Sequence, residues 1–269
     1  LVLFKNDKSL IQISKIKVMY QLLKVSILSI SFLVLSGSLQ VQEQNKLIAQ
    51  NDVKLEKSKD GRVGKVMTQI EQVALTPEGV IKSLADGNSR YVNDNLTPRS
   101  QSLQVVNSSA GQYPEAIILS CVDSRVPVEN VFDRGIGDLF VARVAGNFAN
   151  EDILGSMEFA CKVSGAKLVV VLGHNHCGAI KAAVDDVKLG NITPLLENIK
   201  PAIALVSYNG EKNSFNEEFV AMACESNVRN TINAIRKNSP ILNDMEEHEE
   251  IMIVGAIYNL ENGKVDWLK

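Results

Sequence analysis

The chain has 269 residues, with 28 Lys and Arg against 31 Asp and Glu, 45% hydrophobic residues, four Cys and three His. That length gives one large domain or two small ones, and the composition excludes a disordered or collagen-like chain. The net charge of −3 argues against nucleic acid as a partner. Four Cys are too few for a disulfide-built scaffold, and they leave any metal site few possible members.

Residues 25–35 (VSILSISFLVL) form an uncharged apolar run. Lys5, Lys8, Lys15, Lys17 and Lys24 precede it, opposed only by Asp7, and Ser36, Gly37 and Ser38 follow. This order of basic, apolar and small residues is that of a secretory signal, and a signal starting at Met19 has conventional length. The run is about half of what a bilayer requires. Residues 1–38 are therefore read as an export signal, placing the protein in the periplasm or cell envelope. The alternatives are an uncleaved anchor that touches the membrane, or a buried helix. Residues 39–75 are rich in Gln, Asn, Lys and Asp and show no sustained apolar face. They read as a linker or N-terminal arm, with some helix able to wrap a partner subunit.

The compact domain is placed at 76–269. Thr76 is set as an N-cap, with Pro77 in the first turn and Glu78 at the positive end of the helix dipole. Val80, Leu84 and Tyr91 supply the apolar spacing, and Gly87 is expected to interrupt the helix. Residues 116–119 form a continuous apolar run, the pattern of a strand buried on both faces. A second strand is predicted over 139–144 and a helix over 156–163. Residues 168–172 read as strand, 173–178 as turn and 179–187 as helix. Further helices fall near 194–207 and 217–237. A last strand over 251–258 precedes a turn at 261–264. Strands alternating with helices predict an α/β fold: a mainly parallel sheet covered on both sides.

Cys121 follows one predicted strand, and His174 and Cys177 follow another. Ligands in open α/β sheets bind beyond the carboxyl ends of strands, so the topology can bring these three together. Two thiolates and an imidazole suit Zn²⁺ and leave a fourth position open, as catalytic zinc requires. Asp123 and Arg125 alternate with Cys121, so an extended chain puts all three on one side. Arg125 can hold the Asp123 carboxylate by a two-pronged contact; the alternative is a structural ion pair. Cys161 and Cys224 read as small buried apolar residues, with a disulfide between them the alternative in an exported protein. His176 adjoins Cys177 and is expected to point away from the metal.

CVDSR (121–125) together with GHNHCGA (173–179) resembles the two zinc-binding motifs of the β-class carbonic anhydrases. ADGNSRY, DLFVARVAGN, SMEFA, ESNV and VGAIYNLENGKV extend the resemblance over 76–268. It implies a mainly parallel sheet with an antiparallel edge strand, built as a dimer or an assembly of dimers. It implies Zn²⁺ held by Cys121, His174 and Cys177, and reversible hydration of CO₂ to bicarbonate by zinc-bound hydroxide. Asp123 would accept the hydroxide hydrogen bond and Arg125 would fix Asp123. Gln112 and the Gly178 N–H would donate to substrate oxygen. Phe140, Ala145 and Phe159 would line an apolar pocket, partly across a dimer interface. Phe159 stands where Tyr is usual, and Val144 where many members have Asn. Ile118 stands where a bicarbonate-inhibited subgroup has Trp, which favours the open, active form. His176 is a candidate proton shuttle. The same fold also serves COS or CS₂ hydrolysis, and a non-catalytic zinc-binding homologue is a further alternative. A thiol redox protein fits poorly, because there is no C-x-x-C.

Overall fold

The computed structural model describes residues 62–269. The signal or anchor reading of residues 1–38 and the first part of the arm lie outside the described residues. Among the described residues no helix is long and apolar enough to cross a membrane.

Five strands form one sheet in the order β2-β1-β3-β4-β5. They are β1 (Ala116–Ser120), β2 (Leu139–Arg143), β3 (Leu168–His174), β4 (Met252–Tyr258) and β5 (Val265–Trp267). The first four are parallel, and β5 runs antiparallel to β4 at the edge. Every residue of β1 and β3 is buried, which accounts for their unbroken apolar runs. Successive side chains go to opposite faces. Ile117, Leu119, Val169 and Val171 pack on one face with Met157, Val228 and Ile235. Ile118, Leu168, Val170 and Leu172 pack on the other with Val80, Leu84 and Phe132. The predicted fold class is the one observed.

The arm residues within the description, 62–75, pack on the domain. Thr68 begins a short helix, α1 (Gln69–Val73), through a capping box with Glu71. Buried Gln72 donates from Nε2 to the carbonyls of Pro114 at 2.7 Å and Ser164 at 2.8 Å. Arg62 reaches Thr97 Oγ1 at 2.8 Å. Polar anchors of this kind leave no apolar periodicity, so the sequence pattern missed them.

Helix α2 (Pro77–Val92) starts at Thr76, whose Oγ1 accepts from the Gly79 N–H at 3.2 Å. It runs straight through Gly87, so the expected interruption is corrected. Gly87 marks a close approach instead: a Cβ there would lie 2.0 Å from the Phe132 carbonyl oxygen. Gly87→Ala gains helix propensity but forces α2 away from the turn at Phe132. A net loss of about 2 kcal/mol in stability is expected, read as a lower urea midpoint.

Two short helices, α3 (Gln101–Ser108) and α4 (Val128–Val131), precede and follow β1. The helix predicted over 156–163 begins earlier, at Asn150, whose Oδ1 caps α5 (Glu151–Glu158). Its last turn, Phe159–Val163, winds as a π-helix. Strand β3 extends into the predicted turn, because Gly173 and His174 still pair with Ile257 and Tyr258. After α6 (Gly178–Val184), the helix expected near 194–207 is two pieces, α7 (Ile192–Glu197) and α8 (Lys200–Ala204). Pro201 cannot continue a helix but fits the first turn of a new one. The long helix α9 (Glu217–Asn238) forms as expected, followed by α10 (Pro240–Glu247), capped by Ser239.

Candidate metal centre

Cys121 is the first residue beyond β1, and His174 is the last residue of β3. Because β1 and β3 are adjacent and parallel, their carboxyl ends lie side by side. Cys177 is the N-cap of α6, three residues beyond His174. The ligand atoms of Cys121, His174 and Cys177 all lie within 4.8 Å of one another, and all three residues are buried. The two sulfurs are 4.0 Å apart.

His174 supplies a test of fit for a metal. Its Nδ1 bonds to the Asn175 carbonyl at 2.8 Å, which assigns the proton to that nitrogen and leaves Nε2 as a free lone pair. His174 Nε2 is buried and has no hydrogen-bond partner. A buried orphan acceptor beside two thiols is the donor set of a thiophilic cation, and three protein ligands fit Zn²⁺ with one position open.

The electrostatics favour metal binding. The hydrogen bond from Cys177, with a further bond from the Gly146 N–H, lowers the Cys121 pKa to about 4. Cys177, which shares that proton, is pushed up. Arg125 holds Asp123 by two prongs, Nε to Oδ1 at 2.9 Å and Nη2 to Oδ2 at 2.7 Å. The Arg125 backbone N–H adds a bond to Oδ1 at 3.0 Å. The guanidinium holds the Asp123 pKa at about 2. Asp123 Oδ2 lies 3.8 Å from His174 Nε2, so an ionised carboxylate faces the metal position.

The other predicted residues divide. Gly178 opens α6, and nothing lies within 4 Å of where a Cβ would be. Ala145 precedes Gly146, whose N–H donates to Cys121 Sγ at 3.4 Å. Phe140 and Phe159 lie elsewhere, on the unpaired flank of β2, their ring centroids 6.1 Å apart. They line an open groove of about 740 Å³ with Ile117 and Ile153, and none of the three ligands lines it. Gln112 is exposed at the amino end of β1. The strand separates it from Cys121 by about 16 Å at the usual rise per residue. Within one chain, then, Gln112, Phe140 and Phe159 are not brought to the ligands.

His176 points away, its Nε2 on Glu261 at 3.1 Å. Cys161 and Cys224 are free thiols in separate clusters, so the disulfide alternative is corrected. Burial pushes both up to about 12. Sequence reasoning missed Arg143, which ties the Cys121 carbonyl to that of Val126. It also missed the backbone partners Gly146 and Asn175, which carry no side-chain signal.

A parallel α/β sheet with an open Cys-His-Cys centre at two strand ends defines a metal-dependent α/β enzyme. Residues 116–265 match the family model described as carbonic anhydrase. The chain is 34% identical over 194 residues to carbonic anhydrase 2 of Mycobacterium tuberculosis, covering 70% of this chain and 91% of that one. It is also 34% identical over 198 residues to a carbonic anhydrase of Mycolicibacterium smegmatis, covering 71% and 92%. Among solved structures, the β-carbonic anhydrase CcaA matches with a TM-score of 0.54 at 24% identity, over 70% of this chain and 92% of that one. A tetrameric β-carbonic anhydrase of Sordaria macrospora matches at 0.53 and 22%, over 60% and 84%. The chain belongs to the β-class carbonic anhydrase family.

Proposed function

We propose that the protein holds Zn²⁺ and catalyses the reversible hydration of CO₂ to bicarbonate. The observation that carries this is the ionised Asp123, fixed by Arg125, facing an open three-ligand centre. Structural retention of a metal needs neither residue. When bound, zinc supplies a water acidified to near-neutral pH. Asp123 accepts the hydrogen of the attacking oxygen and orients its lone pair toward the substrate. Arg125 keeps that carboxylate ionised and turned off the fourth ligand position. In this reading Gly178, next to Cys177, and Ala145, next to Gly146, would border the space left for a small uncharged substrate. Stopped-flow CO₂ hydration by the zinc-loaded chain, against COS and CS₂ turnover, tests the reading. COS or CS₂ turnover without CO₂ hydration would assign the alternative hydrolase.

The site is complete only in an assembly. Gln112 cannot reach its own cluster, and β2 leaves one edge unpaired among the described residues, beside the Phe140–Phe159 groove. We read this flank as the face of a dimer, or of an assembly of dimers, in which each chain lends Gln112 to the other. Gln112→Ala should lower activity about 100-fold. Mixing it with Asp123→Ala should restore about one site in four, because only the mixed dimer holds both groups at one centre. No recovery on mixing would refute delivery in trans. Export through residues 1–38 belongs to the same reading, and N-terminal sequencing of the mature protein from fractionated cells checks it.

A further inference from the structure

Asn227, on α9, is 1% exposed. Its Nδ2 donates to the Gly146 carbonyl at 2.8 Å. The N–H of the same glycine donates to Cys121 Sγ at 3.4 Å. Gly146 takes a φ of +81°, and a Cβ there would lie 2.3 Å from Ile199 Cδ1. The residue therefore carries no side chain, and its orientation depends on what holds its backbone. The Asn147 N–H closes the turn onto Val144 at 2.9 Å, which leaves the Gly146 carbonyl to Asn227. The amide is kept at a cost. Its Oδ1 is buried without a partner, and an apolar side chain of the same size would avoid that penalty. The donor is what the position requires.

We propose that Asn227 is a positioning residue for the metal centre: by holding the Gly146 carbonyl it aims the Gly146 N–H at Cys121 Sγ. This rests on the reading of Cys121, His174 and Cys177 as metal ligands. An N–H···S bond draws electron density from the thiolate and so sets how strongly the sulfur donates to a cation. Without the Asn227 donor the 146–147 peptide keeps only the Asn147 bond to Val144, Gly146 is less firmly held at its positive φ, and the N–H of the preceding peptide loses its fixed direction to the sulfur.

The test uses the full chain loaded with Co²⁺, which reports its thiolate ligands through a sulfur-to-cobalt charge-transfer band. Asn227→Leu keeps the volume and removes the donor. The band is expected to move to lower energy, and Co²⁺ affinity in chelator competition to fall about 10-fold. Ile235→Val, in the core on the same helix, should lower the unfolding midpoint and leave the band in place. A band that does not move in Asn227→Leu overturns the proposal, whatever happens to stability. Failure of the unaltered chain to bind Co²⁺ would instead overturn the metal-centre reading itself. In the unaltered chain loaded with the NMR-active cadmium isotope, a scalar coupling between metal and Gly146 N–H is expected. Its absence also overturns the proposal, and that measurement needs no variant to fold.

Discussion

Replacing Asp123 with Ala should lower kcat/KM for CO₂ hydration by at least about 100-fold while the metal stays bound. The separation of the two effects follows from the geometry. Asp123 is not among the three residues whose ligand atoms converge. Its oxygens bond to Arg125, and its free flank faces the ligands, 3.8 Å from His174 Nε2. Removing it takes away the acceptor for the attacking oxygen and leaves the cradle intact. Arg125→Lys should fall between wild type and D123A, because lysine keeps the charge and loses the two-pronged grip. Chelator competition gives the metal affinity, and stopped-flow hydration gives the rate. Unchanged activity in D123A would sink the proposed role. Loss of metal in D123A would make the carboxylate a ligand.

The second large effect is on stability and lies at the other end of the sheet. Asp133 is a fully buried carboxylate with three basic neighbours. It accepts from Arg90 Nε at 2.5 Å, Arg99 Nη1 at 2.6 Å, the Thr97 hydroxyl at 2.7 Å and the Thr97 N–H at 3.0 Å. Its φ is +50°, which Asn tolerates, so Asp133→Asn removes the charge without straining the backbone. The variant leaves three guanidinium groups facing a neutral amide. About 3 kcal/mol of lost stability is expected, at the low end for a broken buried pair because the arginines are partly solvated. Urea denaturation would measure it, with Co²⁺ affinity unchanged.

The same residue gives a pH signature. Burial alone would raise the Asp133 pKa, but the bonds from Arg99, Arg90 and Thr97 outweigh it and hold the pKa below its ordinary value. A carboxylate with a depressed folded pKa contributes stability above its unfolded pKa, near 4. That contribution is lost as pH falls through the folded value. Wild type should therefore lose more stability than D133N on acidification below about pH 4. Parallel curves for the two proteins would contradict the assignment.

Much of this protein is legible from residues alone, for identifiable reasons. β1 and β3 are buried on both faces, so composition alone marks them. The Thr76 cap announces α2, because a side-chain oxygen before an apolar period has few other uses. Gly87 misled because propensity counts the missing side chain as a break. The structure uses it to admit the Phe132 carbonyl. Residues 194–207 read as one helix, whereas Pro201 falls in the first turn of a second piece, so the chain forms α7 and α8.

The family and the residues able to hold a metal are legible in the sequence, because coordination chemistry restricts which residue types can serve and sheet topology restricts where they stand. Only the fold shows which of the predicted site residues come together within one chain. Gln112, Phe140 and Phe159 match the family pattern by spacing, yet β1 holds Gln112 at its amino end and β2 carries the two rings to an open edge. Spacing along a chain fixes no distance between strands or subunits. It also says nothing of backbone donors such as the Gly146 N–H, whose direction is set only when α9 packs across the turn.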